Sequence, residues 1–150
     1  MTNPTTSIAW PLAQQVATLI GAHANCSTIN VYPFWPGDKA QKPEFVVVED
    51  LKVTDIAVAG WQSGRKQRNE TIGLTVKCYV TNKRTADALM DRLGELVAAV
   101  EDVFADDLTL GTAGVIHGQV TGVEYDPFET PDTGFVGSAA VTCSIVTRLH

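Results

Sequence analysis

The chain has 150 residues, of which 45% are hydrophobic and 19% are charged. These proportions are typical of one globular domain and exclude a disordered chain. Its net charge of −6 argues against nucleic-acid binding by the whole surface, although a local basic site is compatible with it. No apolar run reaches the roughly 18 residues that span a bilayer, and residues 1–7 lack the features of a signal peptide. We therefore expect one domain, flexible at residues 1–7, that stays in the cytoplasm where it is made.

Residues 8–24 are predicted to form an N-terminal helix, because Leu12, Val16 and Leu19 recur at helical spacing. A short strand is expected within residues 27–33, where β-branched side chains are close together.

Phe34 and Trp35 precede a predicted turn at residues 36–38, in which Pro and Gly favour the required dihedral angles. The two aromatic side chains have two interpretations: a contact at an interface, or a lid over one end of the core. We favour the lid, because isolated aromatic side chains are common on protein surfaces.

Residues 44–49 and 53–59 are both predicted to be strands from their β-branched content. The composition then changes, because residues 60–70 contain two glycines and no apolar periodicity. This pattern predicts an exposed, mobile loop. The loop carries an aromatic side chain and a basic cluster on an otherwise acidic protein: Trp61, Arg65, Lys66 and Arg68.

The strongest pattern lies in residues 71–106. Residues 71–80 alternate between apolar and polar side chains, as in a strand with one buried face. Residues 85–106 have an apolar stripe at helical spacing, with Thr85 as the expected N-cap. The strand and the helix each extend roughly 33 Å, so they are expected to cover each other.

Two strands are predicted in the last third of the chain, at residues 115–125 and 135–149, with a loop at 126–134 between them. Interior glycines in the first of these strands indicate a bulge or a close backbone approach. The predicted fold is therefore α+β: an antiparallel or mixed β-sheet packed against one long helix (about residues 85–106), plus an N-terminal helix (about residues 8–24).

No set of residues predicts catalysis, a cofactor or a metal. The three cysteines are widely spaced, which fits neither a disulfide framework nor a metal motif. Asp126, Glu129 and Asp132 lack the spacing of a calcium loop and are interpreted as a solvated turn. The three histidines are scattered along the sequence, and none has a partner at metal-ligand spacing. We therefore expect a protein that is not an enzyme.

The order of these elements resembles that of the tail terminator (tail completion) proteins of long-tailed bacteriophages. The likeness is strongest where the strand at 71–80 leads into the helix at 86–93, and again in the strand at 141–147. It covers about two thirds of the chain.

The resemblance implies a structural virion protein that forms a ring, commonly a hexamer, at the head-proximal end of the tail tube. There it would stop tube polymerisation and form the surface that joins the head, after assembly in the host cytoplasm. The implied partners are copies of the same chain, the tail tube protein and a head–tail connector protein, with no membrane. For the ring contacts, we expect strand edges at residues 53–59 or in the last strand to pair between subunits.

Within this resemblance, the loop at residues 61–68 is the candidate contact with the tail tube, through Trp61, Arg65, Lys66 and Arg68. An ordinary solvated hairpin is an equally good interpretation. A third is that its basic side chains face DNA passing through the ring, where sequence-independent phosphate attraction suffices.

Two other functions remain open from the sequence. One is a different neck or head–tail connector ring of the same virion. The other is a small cytosolic α+β ligand-binding domain, which would need a pocket with converging polar groups.

Overall fold

The computed structural model describes residues 7–37, 43–62, 65–130 and 134–149, without the side chains of residues 55–62 and 65–67. Two α-helices and five β-strands account for most of these residues. In chain order the elements are α1 (Ala9–Gly21), β1 (Asn30–Tyr32), β2 (Glu44–Gln62), β3 (Arg65–Lys83), α2 (Ala86–Asp106), β4 (Val115–Thr130) and β5 (Gly134–Leu149).

The five strands form one mixed sheet in the order β1-β2-β3-β5-β4. β1 is parallel to β2, and every other neighbouring pair is antiparallel. The predicted α+β class, with a mixed sheet, one long helix and an N-terminal helix, is confirmed. The last strand, β5, lies between β3 and β4, so the prediction that it offers an edge for pairing is wrong.

Strand β2 replaces the two strands that were predicted at residues 44–49 and 53–59. The ladder with β3 shifts register between Glu49 and Lys52, where Asp50 has a φ of 51°. Asp tolerates this left-handed conformation better than most residues. The irregularity interrupts the alternation of side chains, so the sequence pattern suggests two separate strands where the structure has one.

The loop predicted at residues 126–134 is also largely a strand, because β4 continues to Thr130 and β5 begins at Gly134. Asp126 and Glu129 therefore lie in a strand, and Asp132 lies outside the described residues. Pro127 suggested a loop, but an edge strand such as β4 accepts proline, because the missing N–H can face away from the neighbouring strand.

Both helices pack on the same face of the sheet. The predicted apolar stripe of α2 is buried against β3 and β5 except for Met90, which is 37% exposed. The predicted N-cap is confirmed: Thr85 Oγ1 accepts a hydrogen bond from the Ala88 N–H at 3.1 Å. A Cβ added at Gly118 would lie 3.1 Å from the Phe104 ring, which confirms the predicted close approach. The fully buried large side chains of the core include Leu12, Val16, Ile20, Ile72, Leu74, Leu89, Leu93, Leu96 and Ile145.

An ion-pair network joins the first half of α2 to the beginning of β2 and the end of β3. Glu44 in β2 accepts from Arg92 Nε at 2.9 Å and pairs with Lys83 Nζ at 3.1 Å, while Arg92 Nη1 also donates to Glu95 at 2.8 Å. Burial raises the pKa of the Glu44 carboxyl, but hydrogen bonds and attraction from Arg92 and Lys83 outweigh it, so the pKa lies below its usual value.

We expect Glu44→Gln to lower the free energy of unfolding by about 1 kcal/mol at pH 7. Because the folded-state pKa is lowered, this stabilisation is present above the unfolded-state pKa of about 4.3 and is lost as the pH falls through the folded-state value. Urea unfolding at pH 7 and near pH 3 measures the difference, with Glu124→Gln on exposed β4 as the control. A loss of stability that is equal at both pH values would contradict the assignment.

Candidate interaction surfaces

The candidate contact residues lie in a β-hairpin and not in a loop. β2 and β3 remain paired to their ends, with Gln62 opposite Arg65 and Trp61 opposite Lys66. The predicted loop at residues 60–70 is therefore wrong as secondary structure. A strand without apolar alternation gives no periodic signal, because neither of its faces is required to be buried.

The backbone positions of the hairpin place its basic residues at one end of the sheet. Trp61, Arg65 and Lys66 occupy the last two described pairs, and their side chains lie outside the described set. Arg68 is further down the hairpin, opposite Leu149 of β5, and its side chain is half-buried. The structure thus places all four residues of the candidate contact at the same end of the sheet.

The base of this hairpin is fixed by a buried carboxylate. Glu70 is 2% exposed, and its Oε1 accepts a hydrogen bond from Ser7 Oγ at 3.1 Å. Thr147 Oγ1 donates to the Glu70 backbone oxygen at 3.4 Å, which joins the hairpin base to β5. Sequence reasoning missed Glu70, because it lies beside the basic cluster and resembles a solvated charge.

The two edges of the sheet are formed by different strands and to different extents. β4 forms one edge over all of its 16 residues. At the other edge, β1 pairs only with residues Phe45, Val46 and Val47 of β2, so on the side away from β3 the remainder of β2 has no described strand next to it. Residues 53–59, which were expected to offer an edge, lie in this uncovered part of β2.

Aromatic side chains form a cluster where β1 meets β2. The Trp35 ring centroid lies 5.9 Å from those of Phe45 and Tyr79, and the latter two rings stack at 4.7 Å. Phe45 and Tyr79 alternate with the core-facing Val46 and Cys78, so Trp35 packs on the sheet face that points away from the helices and not over an end of the core, as the lid interpretation expected. Phe34 and Trp35 are nevertheless 59% and 51% exposed, so half of each aromatic surface is open to a partner.

The described residues bring one histidine and one carboxylate together. His23 Nε2 lies 2.9 Å from Asp102 Oδ2, and His23 Nδ1 accepts the Asn25 N–H at 3.1 Å. One ring nitrogen therefore connects the segment after α1 to α2, and the other accepts a hydrogen bond within that segment. Sequence reasoning missed this pair, because 79 positions separate its members. A recess of about 350 Å³ between α1 and α2 lies beside the His23–Asp102 pair. The Asp107 carboxylate in its wall accepts hydrogen bonds from the backbone N–H groups of Thr109 and Gly111.

Over the ranges that are described, no three His, Cys, Asp or Glu side chains converge in a way that could hold a metal ion. None of the helices in these ranges has the length and apolarity needed to cross a bilayer.

Comparison with known proteins gives matches among solved structures. No protein-family model matches the sequence, and no curated protein sequence matches it. Among solved structures, a chain from the virion of a native gene transfer agent particle matches with a TM-score of 0.53 and 15% sequence identity, over 94% of this chain and 99% of that chain. The two chains share a fold. At this identity the match establishes the fold alone.

The three thiols are expected to be inert in the native protein. Cys26, Cys78 and Cys143 are all at most 1% exposed, and burial raises the pKa of Cys78 and of Cys143 to about 12. Because the thiolate is the reactive form, Ellman's reagent at pH 8 should react with none of them until denaturant is added. Rapid reaction of one thiol in the folded protein would instead indicate a nucleophile within reach of solvent.

Proposed function

We propose that this protein is a structural component of a phage-like virion, and that it acts as the tail terminator. In this role it forms a ring, commonly a hexamer, at the head-proximal end of the tail tube, stops tube polymerisation and provides the surface that joins the head. The observation that carries the proposal is the extent of the shared fold: nearly the whole of this chain superimposes on nearly the whole of a virion chain.

The surfaces of the fold support a role in binding. A ring built from one kind of subunit uses two different complementary patches on each copy. Among the described residues the sheet has two edge strands, β4 and the part of β2 beyond β1, and strand edges pair readily with other chains. The partners of the proposal are therefore further copies of this chain, the tail tube protein and a head–tail connector protein.

The end of the β2–β3 hairpin is the proposed contact with the tail tube. Trp61, Arg65, Lys66 and Arg68 combine an aromatic side chain with three positive charges, on a chain whose net charge is −6. Aromatic and Arg side chains are enriched among the residues that dominate binding energy. The second interpretation, contact with DNA inside the ring, uses the same charges through non-specific attraction to phosphate.

The terminator role predicts a particular defect when the gene for this chain is deleted from its phage-like particle. Tail tubes should grow to uncontrolled lengths, because nothing stops the addition of tube subunits, and negative-stain images measure the length distribution. A plasmid copy of the wild-type chain should restore uniform tails. Tails of normal length that lack heads would contradict termination and favour the alternative function, a different ring of the head–tail connector.

The hairpin contact is tested by Arg65→Ser combined with Lys66→Ser. The variant should keep the wild-type thermal midpoint but lose at least tenfold in affinity for purified tail tubes, with a similar loss of complete particles. The control is Arg84→Ser, which removes a positive charge from an exposed position away from the hairpin end and from both sheet edges. If tube affinity is unchanged but salt-sensitive binding to duplex DNA is lost, the basic side chains face DNA.

A further inference from the structure

An open recess of about 350 Å³ lies beside β2, immediately beyond the residues of β2 that pair with β1. Three aromatic side chains line this recess, here called the aromatic recess: Trp10 at the start of α1, and Phe34 and Trp35 in the segment after β1. They are 45%, 59% and 51% exposed, respectively. Apolar surface that stays exposed as a group is typical of an interaction site, whereas single exposed apolar side chains are common.

The three exposed rings are supported by other rings. The ring centroids of Trp10 and Phe34 are 5.8 Å apart, with an angle of 54° between the planes. The Trp35 ring lies 5.9 Å from each member of the stacked pair Phe45 and Tyr79, at 65° and 69° to their planes. The lining is therefore largely formed before a ligand arrives, which reduces the ordering cost of binding.

A β-bulge brings two carboxylates into the wall of the recess. Successive side chains of a regular strand point to opposite faces, yet four consecutive residues of β2, Val48 to Leu51, contribute to the lining. The ladder with β3 shifts register in this stretch, and Asp50 has a φ of 51°. Bulges re-aim side chains and are over-represented next to active sites. Here the bulge places both Glu49 and Asp50 beside the aromatic rings.

The charge of the aromatic recess is negative. Among the described residues that line it, Glu49 and Asp50 are acidic and none is basic. The Tyr79 hydroxyl donates to Glu49 Oε1 at 3.3 Å, which holds that carboxylate in place. Lys77 on the neighbouring strand attracts Glu49, but it offsets at most one of the two negative charges.

Aromatic faces and carboxylates attract the same class of ligand. The face of an aromatic ring has a negative electrostatic potential and attracts a cation within about 6 Å of its centroid. A carboxylate accepts charge-assisted hydrogen bonds, and a guanidinium group can donate two of them in parallel. Arginine meets both requirements, because its planar group stacks on aromatic rings while its N–H donors point outwards from the edge. An anion such as phosphate would be repelled.

The dimensions of the aromatic recess favour a side chain of a partner protein over a free metabolite. Its volume of about 350 Å³ is near the lower end of the roughly 300–1,000 Å³ that is usual for small-molecule sites, which enclose most of the ligand surface. This recess is instead open, and its rings are about half exposed. Trp and Arg are enriched among the residues that dominate the energy of protein–protein contacts.

We propose that the aromatic recess binds an arginine side chain of a partner protein. The guanidinium group stacks on the exposed rings and forms hydrogen bonds with the carboxylates of Glu49 and Asp50. The proposal goes beyond the terminator role and does not depend on it, since the recess lies outside the hairpin end that is proposed to contact the tail tube.

The probe that tests the site is a pentapeptide with one central arginine, flanked by threonine and glycine and blocked at both ends. The chain has three tryptophans, whose indole N–H signals in NMR spectra are assigned with the variants Trp10→Phe, Trp35→Phe and Trp61→Phe. The peptide should shift the signals of Trp10 and Trp35 and leave that of Trp61 unchanged. The same peptide with citrulline, which is neutral and similar in shape, should bind at least tenfold more weakly.

Variants of the lining test the roles of charge and of the aromatic faces. Glu49→Gln with Asp50→Asn should weaken binding of the arginine peptide at least tenfold at 150 mM salt. The fold should be kept, because Asn tolerates the left-handed conformation as Asp does. Phe34→Leu retains apolar bulk but removes one aromatic face, so it should weaken binding about threefold.

The matched control for the carboxylates is Glu124→Gln with Asp126→Asn, which removes the same charge from two exposed positions on β4. It should bind the peptide as the wild type does, because charges farther away than the Debye length of about 8 Å are largely screened at this salt concentration.

Several results would overturn the site. Equal affinity for the arginine and citrulline peptides would indicate an apolar contact only, and wild-type affinity in the carboxylate variant would remove the assigned hydrogen bonds. Signal shifts confined to Trp61, or no shift at the solubility limit of the peptide, would exclude the recess. Free argininamide that binds as tightly as the peptide would contradict a partner protein as the source. None of these results bears on the terminator role, which the tail-length images measure separately.

Discussion

The burial of the apolar stripe of α2 against β3 and β5 is the interaction on which the rest of the structure depends. Leu89, Leu93 and Leu96 are fully buried there, and burying each such side chain contributes about 1.5–3 kcal/mol. The Thr85 cap and the Glu44–Arg92 pair fix where the helix begins and how it is tied to β2. Because α1 packs on the same face, neither described helix covers the other face of the sheet or its two edges.

The lengths of the elements explain why so much of the sheet is left for partners. α2 has 21 residues and β3 has 19, which correspond to about 32 Å of helix and about 63 Å of strand. Even if it lay along the strand, the helix would cover only about half of β3. The expected match between helix and strand thus fails because β3 continues back to Arg65. The hairpin extends beyond the helix, where no apolar face is needed.

The sequence predicts elements well where burial imposes a period. The helix of residues 85–106, its N-cap and the strand at 71–80 were recognisable for this reason, as was the close approach at Gly118. The hairpin end was not recognisable, because a strand that α2 does not cover needs no apolar alternation. Nor was the strand nature of residues 126–130, because Pro127 is a chain breaker except at an edge, and sequence alone does not identify β4 as the edge strand. The interior position of β5 and the His23–Asp102 pair depend on topology, which no local pattern contains.

The separation of the hairpin end from the sheet edges would allow one small domain to contact two kinds of partner. In the proposed ring the sheet edges would meet neighbouring copies, whereas the end of the hairpin would meet the tail tube. The two contacts would use different atoms, because Arg65, Lys66 and Arg68 lie at one end of the sheet. Salt should weaken the hairpin contact, since screening reduces the attraction of its basic side chains for an acidic partner. A substitution in the hairpin therefore tests the contact with the tube while leaving the sheet edges intact.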